Sequence, residues 1–473
     1  MASIATLWGG WNDLDAQLIS PVVFLISMLL IYHLVLRQTA KPWLAMLAVL
    51  LFRCFPYANI YAGFVSDYSL AILFTALCLW GLGEYFREGD LSGLEAAALS
   101  TAFAMHLNYM MGILWPVVLI APFLYSYQSK QPWRGLVLNR SFISIIGVGV
   151  VLGIPWYIRN WIVTGNPVYA FFPQIFGGKN INLEVLESCF QEWRKHGDGI
   201  GRFGDGLSQK IQALPRFLFR ETNFHWKYGP VLTGLVIPGA LISLFRRQAL
   251  LMAALLIFLS VSAYHLILGD LYLYHTLMMV PALTLLATQA ISYPKAGLLK
   301  NTLVGFILLI AVFVGLSSSI VGGKWMSFQP LAMELPAQIK AAYPQQWQQN
   351  LKRTFLEIRL GDSWRMWNFM NENLPPAKVL THENRSLYLR PDIQLIGLDD
   401  CNLTDLYDQP FEKVVQRLRE MEIGYYLFVP FENDHPIVKR LGVHGENLRQ
   451  YFTPVHIEGT QQLYGLKEFP DER

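Results

Sequence analysis

Arg159 and Asn160 lie in the stretch of this chain whose residue types are best suited to hold an anion. They follow Pro155-Trp156 and precede Thr164-Gly165-Asn166-Pro167-Val168-Tyr169, and the apolar run from Phe142 to Leu152 leads straight into them. An arginine where a membrane helix reaches the outer surface is costly unless it faces protein, water or an anion. Its planar guanidinium can grip a phosphate through two parallel bonds, while Asn160 orients either the phosphate or the turn. Thr164-Gly165-Asn166-Pro167 reads as a tight turn, because Gly and Asn tolerate positive φ and Pro fixes the backbone that follows. A cation braced in this way suits a lipid-linked phosphate. The plain alternative is an arginine that snorkels to the headgroups beside a turn that ends a helix.

Other residues carry weaker chemical signals. Asp67 follows an outer loop and opens an apolar helix whose N-terminal dipole favours its charge. It serves either as an activating carboxylate, as a ligand for a divalent metal ion of unspecified identity, or as the cap of that helix. His106, Asn108 and Tyr109 interrupt a short apolar hairpin and face either a cavity or polar packing partners. His225 and Lys227 flank Trp226 and act either as added positive charge or as interfacial anchors. Tyr274 donates to a phosphate or sits in the aromatic belt. His275 is either a phosphate contact or a buried, hydrogen-bonded histidine, and His265 reads as the latter.

The elements that must position these residues are membrane helices. The chain has 473 residues, 53% hydrophobic, 14% aromatic and only 15% charged, with a mean hydropathy of +0.33. That balance belongs to a polytopic α-helical membrane protein. A net charge of +3 with no basic run argues against a nucleic-acid partner. Four cysteines scattered without a CxxC exclude zinc-finger and thioredoxin readings. Cys54 and Cys78 read as buried thiols; Cys189 and Cys401 lie in polar segments and either pair or stay free.

About ten apolar spans recur, at Leu18–Leu36, Trp43–Phe55, Tyr68–Phe86, Leu94–Leu107, Met110–Leu124, Phe142–Ile158, Pro230–Phe245, Ala249–Leu268, Tyr272–Ile291 and Leu303–Val321. Several are shorter than the ~20 residues that cross a bilayer upright. Arg37, Lys41, Arg87, Lys130, Arg134, Arg140, Arg246, Arg247, Lys295 and Lys300 all fall in every second connection, which the positive-inside rule assigns to the cytoplasm. The membrane domain is therefore expected over residues 1–321, with an outer loop at 159–228. Residues 322–473 are expected to form an extracytoplasmic α/β domain. Within it, Trp347–Leu360 and Phe411–Met421 read as helices, and Val379–Leu380, Ile393–Ile396 and Tyr425–Val429 as buried strands. No internal repeat is present, which counts against a secondary transporter. The same topology places the N-terminus outside, although Met1–Gln17 has no basic signal region, so either one crossing is misassigned or a further helix precedes Met1.

Several blocks together are similar to a known group. Val65-Ser66-Asp67-Tyr68-Ser69-Leu70-Ala71, Ala97–Pro116, Pro155–Phe172, Tyr228-Gly229-Pro230 with Val236-Ile237-Pro238, and in the tail Trp364–Leu374, Ala377-Lys378-Val379-Leu380 and Glu422-Ile423-Gly424 carry the likeness. They resemble the lipid-carrier-dependent glycosyltransferases of the GT-C fold, in the protein O-mannosyltransferase and aminoarabinose-transferase group. The Arg-Asn and Thr-Gly-Asn-Pro block is the most specific part. The resemblance implies a sugar donor linked to polyprenyl phosphate, a glycan, lipid or protein acceptor, and transfer at the outer face of a bacterial inner membrane, among membrane lipids. It implies Asp67 as catalytic carboxylate or metal ligand, and Arg159, Asn160, Tyr274 and His275 as contacts to the donor phosphate. His106, Asn108, Tyr109, His225 and Lys227 would line the cavity for the lipid carrier.

Two departures are visible. The family opens with one more helix and a large outer loop bearing an acidic residue, whereas Ala2–Gly10 resembles only the end of that loop. Tyr274-His275 stands where many relatives have Arg-Tyr, and Asn108 where a lysine is common. The competing expectations are a catalytically impaired relative that only binds the lipid carrier and, more remotely, a membrane transporter.

Overall fold

The apolar runs form helices in the structure, a computed structural model that describes residues 13–53, 55, 67–107, 109–132, 140–168, 173–177, 208–209, 211–212, 230–267, 277–293, 297, 301–302, 304–305, 309, 361–382, 389–398, 400–429 and 436–467. The side chains of residues 13–18, 67, 109–110, 173–174, 230–233, 265–267, 401 and 436 are not among those described. The described residues divide into two compact units, a helical one up to residue 309 and an α/β one from residue 361.

In the helical unit, α1 (Asp13–Thr39) ends at Ala40, whose φ of 54° breaks the ladder, and α2 (Pro42–Arg53) restarts with proline in its first turn. Next come α3 (Asp67–Glu88), α4 (Leu91–Leu107), a 3-10 turn (Tyr109–Ile113) and α5 (Leu114–Ser129). Then follow α6 (Arg140–Gly153), α7 (Pro155–Thr164), α8 (Pro230–Arg246), α9 (Ala249–Ile267) and α10 (Val280–Ser292). Four stretches are long and apolar enough to cross a membrane: Ile19–Thr39, Tyr68–Glu88, Met111–Ser129 and Arg140–Thr164. Pro42–Arg53, Gly234–Arg246, Ala249–Tyr264 and Leu277–Ser292 are shorter apolar helices. Of the expected spans, four are full-length and four more are shorter apolar helices among the described residues. At 12 residues, α2 is only about 18 Å long against ~30 Å of hydrocarbon. Most of Leu303–Val321 lies outside the described residues.

Polar side chains tie helix ends together at one end of this unit. Gln38 Nε2 donates to Gly83 O at 3.1 Å, and Arg37 and Arg87 both pair with Glu84, at 3.5 and 2.7 Å. Gln128 donates to Phe86 O at 2.9 Å and accepts the Ala249 N–H at 2.8 Å. Arg246 stands over the Tyr293 ring and Arg247 over the Tyr127 ring, at 4.9 and 5.0 Å. The basic connections of the sequence therefore converge on one end of the bundle, as strict alternation of helix direction requires.

The α/β unit has a five-stranded sheet in the order β2-β1-β3-β5-β4. Its strands are β1 (Ala377–Thr381), β2 (Ile393–Gly397), β3 (Ile423–Phe428), β4 (Phe452–Glu458) and β5 (Gln461–Leu466). β1 runs parallel to β2 and β3, and β5 is antiparallel to β3 and β4. Alternation along each strand feeds two cores. Val379 and Leu427 pack with Trp367 of α11 (Asp362–Asn373), and Leu380 and Tyr426 pack with Val414 and Leu418 of α12 (Phe411–Glu420). The three expected strands and the helix at Phe411 are present; the β4–β5 hairpin was not anticipated, and Trp347–Leu360 lies outside the described residues.

Candidate functional site

Gly81 and Gly93 let α3 and α4 close on each other as an antiparallel hairpin. A Cβ on Gly81 would stand 2.5 Å from Gly93 O. Further along, Thr101 Oγ1 reaches Cys78 Sγ at 3.7 Å. The start of α3, where Asp67 stands, and the end of α4, where His106 stands, therefore share the end of the bundle opposite the basic one.

The pair α6–α7 is brought to that same end by small residues. A Cβ on Gly149 would lie 2.6 Å from Trp115 and 3.5 Å from Ala98 Cβ, and one on Gly153 would lie 3.1 Å from Met105 Sδ and 3.7 Å from Ala102 Cα. Two small residues four apart on each helix thus face each other, the spacing that allows close helix contact in a membrane. Trp115 Nε1 donates to Met105 Sδ at 2.7 Å and holds the contact. Sequence reasoning passed over Gly149 and Gly153; their four-residue spacing was the available signal.

The helix does not stop where Arg159 begins. Pro155 occupies the first turn of α7, and the helix continues to Thr164, so Arg159 is a helical residue rather than part of the turn. The turn itself is as the sequence suggested. Gly165 takes φ 75° and its N–H caps Trp161 O at 2.8 Å. Thr164 Oγ1 donates to Asn160 O at 2.8 Å and accepts the Asn166 N–H at 3.2 Å, while Asn166 Oδ1 accepts the Val168 N–H at 2.9 Å. Asn160 and Asn166 are both buried. The Arg159 guanidinium lies 5.3 Å from the centre of the Trp156 ring and makes no hydrogen bond or ion pair among the described residues. On the outer face of α7, Ile162 stays 69% exposed.

His106 Nε2 lies 2.6 Å from Leu152 O, just before the proline. A Cβ on Gly112 of the 3-10 turn would come within 3.5 Å of the Tyr157 hydroxyl oxygen. The structure therefore brings His106 against the end of α6 at Leu152, and Gly112 against Tyr157 of α7. The Asp67 side chain, Asn108, the Tyr109 side chain, His225, Lys227, Tyr274 and His275 lie outside the described residues, as do Cys54 and Cys189. No three His, Cys, Asp or Glu side chains gather as a metal site among the described residues.

This architecture, apolar helices followed by a small sheet domain, is that of the GT-C fold. The chain is similar to ArnT from Cupriavidus metallidurans, an aminoarabinose transferase, in its structure bound to undecaprenyl phosphate. The TM-score is 0.52 at 12% identity, over 98% of this chain and 85% of that one. Against the apo state of the same protein the TM-score is 0.53 at 13% identity, with the same coverage. No protein-family profile and no curated protein matches the sequence.

Proposed function

We propose that this chain is an integral-membrane glycosyltransferase that moves a sugar from a polyprenyl-phosphate-linked donor to an acceptor at the outer face of a bacterial inner membrane. The observation that carries the reading is Arg159. It is a guanidinium without an anionic partner among the described residues, held at the edge of an apolar helix by a buried, hydrogen-bonded turn. The ArnT structure that shares this fold holds undecaprenyl phosphate, a ligand of the same chemistry.

In this reading Arg159 neutralises the phosphate that departs when the glycosidic bond breaks, and Asn160 keeps the helix end in register. Tyr274 and His275 are assigned to the same phosphate. His225, Lys227, Asn108 and Tyr109 are assigned to the carrier's path. Asp67 accepts the proton of the attacking hydroxyl, a role that contributes about 10²–10⁴-fold in rate. Its alternative role is as a ligand to a divalent ion, whose oxygen donors include carboxylates.

The test is binding of undecaprenyl phosphate to the purified chain in detergent. Arg159→Ala should weaken binding by about 1.5–3 kcal/mol, the scale of a lost charge-assisted hydrogen bond. Arg159→Lys should restore only part, because an ammonium lacks the planar fork. Unchanged binding in Arg159→Ala would reduce the residue to an interfacial anchor and remove the main support for the reading. Asp67→Asn should leave binding intact and abolish transfer.

A further inference from the structure

The break between α6 and α7 has a chemical cause and a chemical remedy. Pro155 has no N–H for Val151 O, and its ring crowds that carbonyl, which kinks the helix at this turn. The ladder bonds across the break are Ile154 N to Val150 O at 2.9 Å and Ile158 N to Ile154 O at 3.0 Å. Leu152 O lies in the turn just before the proline, and its two lone pairs leave room for a side-chain donor there.

His106 supplies the donor, at 2.6 Å from Leu152 O. The carbonyl can only accept, so the proton is on Nε2, in either the neutral ring or the imidazolium. The contact is held from both sides. The facing pairs Ala98/Ala102 and Gly149/Gly153 bring the helices together, and the Trp115–Met105 bond pins the turn before His106.

Building on the phosphate-binding reading of Arg159, we infer that His106 is a positioning residue that fixes the Pro155 kink and so aims Arg159 at the phosphate. Arg159 is seven residues beyond Leu152, about two helical turns and about 10 Å along the axis. A change of roughly 10° at the kink therefore swings Arg159 by roughly 2 Å. A displacement of that size is enough to cost about a hundredfold in a well-aligned site. His106 acts at a distance; its Nε2 is committed to the carbonyl and does not contact the phosphate.

The test uses the full chain in detergent, with undecaprenyl phosphate as the probe and a thermal melt of every variant. His106→Ala should weaken binding by about tenfold or more. His106→Gln should bind within about threefold of wild type, because its side-chain amide can still donate to the carbonyl. Pro155→Ala, which restores the N–H for Val151 O and straightens the helix, should weaken binding similarly, and adding His106→Ala to it should cost nothing more. Wild-type binding by His106→Ala, a glutamine variant that is folded but as weak as alanine, or additive effects of the His106 and Pro155 changes would each overturn the inference. Should His106→Ala not fold, the glutamine and Pro155 variants decide alone. Arg159→Ala is measured alongside. If it binds normally, both the phosphate reading and this inference fall; if it binds weakly while His106→Ala binds normally, this inference alone falls.

Discussion

The Asn166 N–H donates to Thr164 Oγ1 at 3.2 Å, and the same hydroxyl donates to the Asn160 carbonyl at 2.8 Å. One side chain thereby closes the last turn of α7 and starts the loop after it. Asn166 is fully buried, and its Oδ1 is the acceptor for the Val168 N–H. Asn166→Ala should cost about 1–3 kcal/mol, since it strands a backbone donor. Thr164→Val keeps the shape and loses both hydroxyl bonds, for about 1–2 kcal/mol, whereas Thr164→Ser should be close to neutral. Thermal unfolding in detergent measures all three. An unshifted midpoint for Asn166→Ala would show that the turn is not what holds this helix end.

That turn was legible because Thr-Gly-Asn-Pro has few backbone solutions. The path into it was less so. The apolar span reads as ending at Ile158 with Arg159 opening the loop, yet Pro155 starts a helical run that lasts to Thr164. β1, β2 and β3 were readable as apolar runs between turn residues. The β4–β5 hairpin was not, because β4 is an edge strand carrying Pro454 at a register shift and β5 opens with Gln461-Gln462. Its loop, Gly459-Thr460 with Gly459 at φ 57°, is the one local hairpin signal, and it was overlooked. No sequence pattern announces the His106–Leu152 bond, because it joins residues 46 positions apart that only the fold brings together.

Glu422 sits in the left-handed region at φ 59°, just past α12. Two effects oppose each other there. The backbone strain of a non-glycine residue is about 1–2 kcal/mol. The bond from Lys378 Nζ at 2.9 Å lowers the Glu422 pKa, but the side chain is 81% exposed, and solvent screening leaves such surface pairs with little effect on stability. Strain relief should win, so Glu422→Gly is expected to raise the melting point of the α/β unit, or at worst leave it unchanged. A clear drop would mean that the Lys378 contact outweighs the backbone term.

Asp362 couples α11 to the β4–β5 loop. It accepts from the Thr460 N–H at 2.9 Å and the Thr460 hydroxyl at 3.0 Å, and pairs with Arg365 at 2.7 Å. The Thr460 backbone bond, foremost, with the hydroxyl and the Arg365 charge, holds its carboxyl below the usual range. A depressed folded pKa means that the carboxylate adds stability above about pH 4, its unfolded value. That stability is lost as pH falls through the lower folded value. Asp362→Asn should therefore melt below wild type at pH 7, and the gap should close in acid. A gap independent of pH would assign the effect to shape rather than charge.

Orientation is the last prediction, and it decides which leaflet could supply the donor. Arg37, Arg87, Arg246 and Arg247 crowd one end of the helical unit, while Arg159, His106 and the start of α3 share the other. Basic residues are retained on the cytoplasmic side, so a reporter fused after Arg247 should be cytoplasmic. Because Arg246 stands over Tyr293, α10 ends at that same face. Residues 361–467 can then be outside only if Leu303–Val321 crosses once more, and a reporter fused after Arg473 should be extracytoplasmic. If both reporters are cytoplasmic, that last crossing is absent and the sheet domain cannot serve an outer-face site. If the Arg247 fusion is outside, Arg159 faces the cytoplasm and the outer-face transfer proposed above is wrong.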